Sequence, residues 1–264
     1  MRFAVESIGL VGPGLQGWEA SRDVLAGRAP YRPGPTSVPP GFPATPERRR
    51  MGESVKLALA TGWQAFETSA CEAASTPTVF TTSCGDGETL HRLCESLAAP
   101  EREVSPTRFH NSVHNAAAGY WGIATGSMEA TTSLCAYDAS FAAGLLEAAT
   151  QVLATGSTAA LIAYDQPYPE PLHAVRPIVA SFGVALILTP QARAGSCALV
   201  DLQWPAEIAP PTRMEDSELE KLRLGVPAAR SLPLLAGLAR GTACTVFLER
   251  LAGFGMKIEV RPCS

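Results

Sequence analysis

Apolar and β-branched positions alternate over residues 3–11 and stop at Gly12-Pro13-Gly14, which predicts a buried first strand ending in a turn. Trp18 to Leu25 suits a short helix, and residues 29–46, dense in proline and glycine, predict an irregular stretch. From about 47 to 70 the apolar residues Met51, Val55, Leu57, Leu59, Trp63 and Phe66 recur at helical spacing, with Arg48-Arg49-Arg50 as a solvated helix start. Thr78 to Ser83 is β-branched and aromatic, a strand, and Gly85-Asp86-Gly87 turns it into a helix over 88–98. The alanine-rich run His110 to Thr125 predicts a helix and Thr131 to Ala136 a buried strand. Ala139 to Ala154 is a strongly patterned helix stopped by Gly156, and Thr158 to Tyr164 is another apolar strand. A proline-containing loop follows at 165–177, then Gly183 to Leu188 and Ser196 to Leu202 as two antiparallel strands joined by a turn. Beyond a Pro-rich linker at 204–215, two short helices at about 216–224 and 228–239 and the strands Thr245–Leu248 and Lys257–Val260 close the chain.

Strands alternating with helices, followed by a strand pair, predict an α/β fold: a mixed five-stranded sheet covered by helices on both faces. Residues 1–203 form its main body, and 204–264 complete the same domain.

Composition narrows the function classes. The chain has 264 residues, 46% hydrophobic and only 17% charged, against ~25% charged in ordinary soluble domains. That leaves room for a large subunit interface. The net charge of −4 and the lack of a long basic run argue against nucleic acid as a partner. No apolar run reaches the ~18 residues of a membrane span. Arg2 and Glu6 interrupt the first apolar stretch, which therefore reads as a strand rather than a signal peptide. The seven cysteines, Cys71, Cys84, Cys94, Cys135, Cys197, Cys244 and Cys263, are odd in number, scattered and without a CxxC pair. Free thiols in a reducing cytoplasm are expected, with no metal and no cofactor.

The chemistry concentrates where the strand at 131–136 runs into the helix at 139–154, at Tyr137-Asp138-Ala139-Ser140. A helix N-terminus offers free N–H groups and a positive dipole end, a place enzymes use for a thiolate or an oxyanion. Asp138 is also a preferred N-cap, although Phe141 leaves the capping box incomplete. His110 and His114 share a face of the predicted helix, but Asn111, Ser112 and Val113 between them lack the glutamate of a zinc-binding HExxH. His91 and His173 fall on the surface or in loops. A hydrolase triad of Ser140, Asp138 and a histidine lacks the GxSxG elbow. Gly12-Pro13-Gly14 with Gly17 lacks the downstream acid of a dinucleotide fingerprint. Tyr164-Asp165-Gln166-Pro167-Tyr168-Pro169 is expected as an ordered loop near a pocket mouth.

Five segments together resemble the β-ketoacyl synthase family, with its thiolase-type fold. IGLVGPGLQGWEASRDVLAGRAPYRP at 8–33 resembles the family's opening strand and glycine-rich turn, and RRRMGESVKLALATGWQAFE at 48–67 its surface helix. TPTVFTTSCGDG resembles the second strand, and SPTRFHNSVHNAAAGYWGIATG at 105–126 the helix before the nucleophile strand. SLCAYDAS at 133–140 aligns on the nucleophile segment itself. The likeness covers roughly 1–203, and it implies that the small-residue helix at 139–149 serves an interface.

The departures set the expected function. The family carries its acyl chain on a cysteine thioester at the place where this chain has Asp138, and a carboxylate cannot form a thioester. Cys135 lies three residues back, within the predicted strand and pointing away. The HGT-like and NHxFGFGG-like motifs of the family's second half, with its catalytic histidines, do not occur, so the chain resembles a truncated ketosynthase. The resemblance narrows to the short chain-length-factor-like proteins of aryl polyene (xanthomonadin-type) pigment clusters. It implies a non-catalytic subunit paired as a heterodimer with a full-length β-ketoacyl synthase, fed by an acyl carrier protein bearing the acyl chain, and a possible homodimer when alone. Phe109, His110, His114, Tyr137, Asp138, Ser140 and Phe141 are the expected pocket or tunnel residues, none of them catalytic. The rival expectation is an acyl-transfer or thioesterase-like enzyme using Ser140 or Cys135. A third is a module that docks an acidic carrier protein on Arg48, Arg49 and Arg50.

Overall fold

The computed structural model describes residues 1–39, 42 and 46–263. Strand β1 (Arg2–Gly12) leads through the short β2 (Leu15–Gln16) into α1 (Trp18–Leu25). No regular structure follows over 30–39, and most of the rest of that proline-rich stretch lies outside the described residues. A 3-10 turn at Pro46–Arg50 precedes α2 (Glu53–Glu67), so the helix expected from about 47 begins only after Gly52. A Cβ at Gly52 would lie 2.0 Å from Asp86 Oδ2, so a larger residue there would have to push the Asp86 carboxylate aside.

The chain continues with β3 (Thr78–Thr81), α3 (Gly87–Ala98), α4 (Pro106–Asn111), α5 (Ala116–Thr125), β4 (Thr131–Leu134) and α6 (Ser140–Thr155). The single helix expected over His110–Thr125 is therefore two. Ser112 caps the first by donating to the Phe109 carbonyl at 2.8 Å, and the break runs to Asn115. Next come β5 (Ala159–Asp165), the one-turn α7 (Leu172–Val175), β6 (Phe182–Thr189) and β7 (Ala198–Ala206). The last elements are α8 (Ser217–Gly225), α9 (Leu232–Arg240), β8 (Cys244–Leu251) and β9 (Phe254–Pro262).

The sheet runs β4-β3-β5-β6-β1-β7-β9-β8, with β2 paired to β1, so the five strands expected become nine. β3 is parallel to β4 and β5, and every other neighbouring pair is antiparallel. The strands at 183–188 and 196–202 do not pair with each other. β1 lies between them and bonds to both, for example Ala4 opposite Thr189 and again opposite Leu199. A turn links β6 to β7, but both take β1 as their ladder partner.

β5 and β6 are buried along their whole length, because helices cover both faces of the sheet. Leu161, Ala163, Val184, Leu186 and Leu188 face a core with α6 and α9. Ala160, Ile162, Ala185 and Ile187 face the other, with α2 and α5. A bulge between Val5 and Ser7 shifts the parity of β1, so that Phe3, Val5, Ile8 and Leu10 all enter the first core. β4 departs most from expectation: it is the edge strand, exposed at Thr131 and half-buried elsewhere. Its sequence, TTSL, is too polar for a buried strand.

Candidate functional site

Parallel strands β3, β4 and β5 end together, and beyond β4 the chain turns through Cys135 and Ala136 into a 3-10 turn, Tyr137–Ala139, and then α6. Tyr137 has φ 55°, the left-handed region a non-glycine residue rarely occupies. Such strain persists only where surrounding contacts impose it. Here Ser140 imposes it: its hydroxyl donates to the Tyr137 carbonyl at 2.7 Å and accepts from the Ala136 amide at 3.0 Å. Ser140 is 1% exposed, its hydroxyl consumed by the turn.

Asp138 does not cap α6, which has no side-chain cap. Its carboxylate turns outward instead. Oδ1 accepts from Arg176 Nη2 at 3.1 Å, and Oδ2 lies 3.9 Å from Arg230 Nη2. The Arg176 guanidinium carbon also sits 3.3 Å from the centre of the Tyr137 ring, a cation–π contact. Behind this group Arg230 donates to Glu249 at 2.9 Å, and Glu249 also accepts from Arg223, which pairs with Glu220 at 2.8 Å. The ion-pair chain thus binds the turn to the segment 220–249. A pocket of about 200 Å³ opens beside it, lined by Tyr137, Asp138, Val175, Arg176, Leu224 and Pro227 among others.

One more carboxylate organises the strand ends. Asp165, fully buried at the end of β5, accepts from Thr82 Oγ1 (3.1 Å), the Ser83 amide (2.8 Å), Ser83 Oγ (2.7 Å) and the Ala228 amide (2.8 Å). Burial pushes its pKa up to about 6, against the pull of those hydrogen bonds. Tyr168, also buried, shares a 3.2 Å hydrogen bond with Ser83 Oγ.

The structure brings together Tyr137, Asp138 and, beneath them, Ser140. The other expected pocket residues lie elsewhere. Phe141 is wholly buried in the core under the sheet. Phe109 and His114 are exposed, and His110 lines a separate pocket with Glu47, Arg50, Pro106, Thr107, Tyr120 and Ile123. His110 belongs to α4 while His114 lies in the break that follows it, so they share no helix face. Among the described residues no three His, Cys, Asp or Glu side chains gather as a metal site. Cys135 is exposed just past β4, not within it. The helix expected to serve an interface, α6, packs against β3 and β5 on one side, where Gly144 meets Thr81 and Leu161. His91 pairs with Glu95 on α3, and Arg48 donates to the Phe42 carbonyl. Sequence reasoning missed Arg176, Arg230 and Glu249. Arg176 and Arg230 are lone cations in proline-containing apolar runs (HAVRPI, AARSLPLL), Glu249 sits beside Arg250 in VFLERL, and a charge folded into such surroundings needs a counter-ion.

Residues 28–232 match the family described as "Beta-ketoacyl synthase, N-terminal domain". The chain belongs to that family. Its sheet, with three strands ending at a strained turn into a buried helix, is the ketosynthase N-terminal half. Among solved structures it is similar to a ketosynthase in complex with its chain length factor from Xenorhabdus doucetiae, at 20% identity and TM-score 0.72 over 99% of both chains. It is also similar to the ishigamide ketosynthase/chain length factor, at 16% identity and TM-score 0.70 over 100% of both chains. A third match is the AntDE:AntF complex of a type II polyketide acyl-carrier protein with its ketosynthase (10% identity, TM-score 0.72, 99% of both chains). At these identities the likeness is one of fold. No curated protein sequence matches the chain. Among the described residues no helix is long and apolar enough to cross a membrane.

Proposed function

We propose that this ketosynthase-like chain is a non-catalytic, chain-length-factor-like subunit. It pairs in the cytoplasm with an active β-ketoacyl synthase and lends apolar wall to the tunnel for a growing polyene chain delivered by an acyl carrier protein. The observation that carries the reading is the state of the strand-to-helix turn. Where the family resemblance places the acyl-bearing cysteine stands Asp138, whose carboxylate is engaged by Arg176. A carboxylate forms no thioester, and the neighbouring hydroxyl of Ser140 is locked to backbone.

Two further observations support a partner. β4 is an edge strand whose outer side is unpaired among the described residues, and natural proteins seldom leave such an edge uncovered. The segment that leads into it, α4 to the turn before β4, carries the exposed apolar side chains Phe109, Val113, Ile123 and Met128. Two of the similar folds belong to a ketosynthase and its chain length factor.

Native mass spectrometry of the chain alone and co-expressed with a full-length β-ketoacyl synthase tests the reading. A one-to-one heterodimer, with elongation only when both chains are present, is expected. If the chain stays apart and transfers or hydrolyses acyl groups alone, with Cys135→Ala abolishing that activity, the enzyme reading replaces this one.

A further inference from the structure

The pocket at the turn has an unusual distribution of charge and exposure. Two guanidinium groups, Arg176 and Arg230, approach one carboxylate, Asp138. Both arginines are mostly buried and held by contacts other than Asp138. Arg176 lies on the Tyr137 ring, and Arg230 donates to Glu249 and to the Leu224 carbonyl. Asp138 is the exposed member, with 46% of its side chain open to solvent, and it takes only one hydrogen bond. Arg230 Nε is buried without a hydrogen-bond partner among the described residues. The cations are therefore fixed and under-used, while the anion is free to leave.

Water competes for the half-exposed Asp138 carboxylate, so its single hydrogen bond to Arg176 gives way at small cost. A group that replaces it meets cations already in place, and it can use the two parallel donors of a guanidinium where Asp138 uses one. The rim supplies a second element of recognition. Val175, Val179 and Leu224 are exposed aliphatic side chains, and Val175 and Leu224 line the pocket itself. Val175 and Leu224 thus share one pocket of about 200 Å³ with Asp138 and Arg176.

We propose that this pocket binds the oxyanion end of an amphipathic ligand, a phosphate ester or carboxylate carried on an apolar chain. Arg176 grips the oxyanion, Arg230 stands behind it, and Asp138 holds the place as an internal counter-ion until the ligand arrives. The inference does not depend on the chain-length-factor reading, since it concerns what the pocket holds and not whether the chain elongates anything.

Binding is measured by isothermal titration and thermal shift at constant ionic strength, with inorganic phosphate, methyl phosphate and octanoate as probes and chloride as the reference. The wild-type chain should respond to methyl phosphate or octanoate beyond the chloride reference. Asp138→Asn, which removes a competing negative charge beside the site, should tighten binding at least about tenfold. Arg176→Gln should abolish it, and Arg176→Lys, which keeps the charge but loses the fork, should weaken it several-fold. Arg22→Gln, on the exposed face of α1, should change nothing. Binding of methyl phosphate but not octanoate identifies a phosphate ester as the ligand; the reverse identifies a carboxylate-tipped chain. The proposal is overturned if neither probe outdoes chloride in both wild type and Asp138→Asn, or if Arg176→Gln and Arg176→Lys bind as tightly as wild type.

Discussion

Asp165 Oδ2 accepts the Ala228 amide proton at 2.8 Å, joining the end of a central strand to a segment 63 residues further along. Because burial raises this carboxyl to about 6, the folded state binds a proton more tightly than the unfolded chain, whose aspartate titrates near 3.8. Stability from this group therefore falls as pH rises through that interval and is lowest above about pH 6. Two pKa units correspond to about 3 kcal/mol. Asp165→Asn should flatten the slope of unfolding free energy between pH 4 and 7, and at pH 7 it should cost about 1–3 kcal/mol because one amide oxygen cannot serve four donors. Urea unfolding across that range is the check; an unchanged slope in the variant would contradict the assignment.

Glu249 is the shared partner of Arg223 and Arg230, and the Arg223 side chain is only 4% exposed. Removing the charge with Glu249→Gln leaves a buried cation short of one partner, expected to cost about 3 kcal/mol. Arg2→Ala, which breaks the exposed pair with Asp201, should cost well under 1 kcal/mol. Chemical denaturation of both variants gives the contrast, and equal costs would mean that the buried chain of ion pairs holds nothing in place.

At Gly9 the middle of β1 meets helix α2 so closely that a Cβ would lie 2.0 Å from the Thr61 carbonyl oxygen. The clash is with backbone, so no rotamer change relieves it. Gly9→Ala should lose about 3 kcal/mol or more, or fail to fold, as judged by circular dichroism and thermal melting. A wild-type melting temperature would show that α2 can shift without loss.

Asp138→Cys restores a thiol at the turn, yet no histidine lines the pocket beside it. The variant should react with iodoacetamide but show no acyl transfer from an acyl thioester, since a lone thiol there has no general base. Turnover above wild type would revive the enzyme reading.

Ile123→Glu places a charge on the exposed apolar face near the free sheet edge. It should leave monomer stability within about 0.5 kcal/mol while abolishing the proposed association with a co-expressed β-ketoacyl synthase. Size-exclusion chromatography of the co-expressed pair decides; undiminished association would move the interface elsewhere.

How much of this was legible in the sequence depended on range. β5 and β6 were clear as continuous apolar runs, and α2 and α6 as helical repeats, because each signal lies within one element; Gly156 stops α6 in the left-handed conformation expected of a helix-ending glycine. Pairing was not legible. The insertion of β1 between β6 and β7 is a contact between residues nearly 190 apart, and a local turn signal at 189–197 points to the wrong hairpin. At the turn, Asp138 was visible as a residue out of place. Its role was not, because Arg176 and Arg230 reach it from 38 and 92 positions away. Ser140, not Asp138, closes the turn, and nothing in their local spacing separates the two.

The central place of β1 also bears on how the chain comes off the ribosome. Residues 2–12, almost all buried in the finished fold, acquire their two long strand partners only when 182–189 and 198–206 have been made. At ~5–20 residues per second that is a wait of roughly 10–40 s. During that time β1 has only the two-residue β2 to pair with, and its apolar side chains stay open to nascent-chain chaperones.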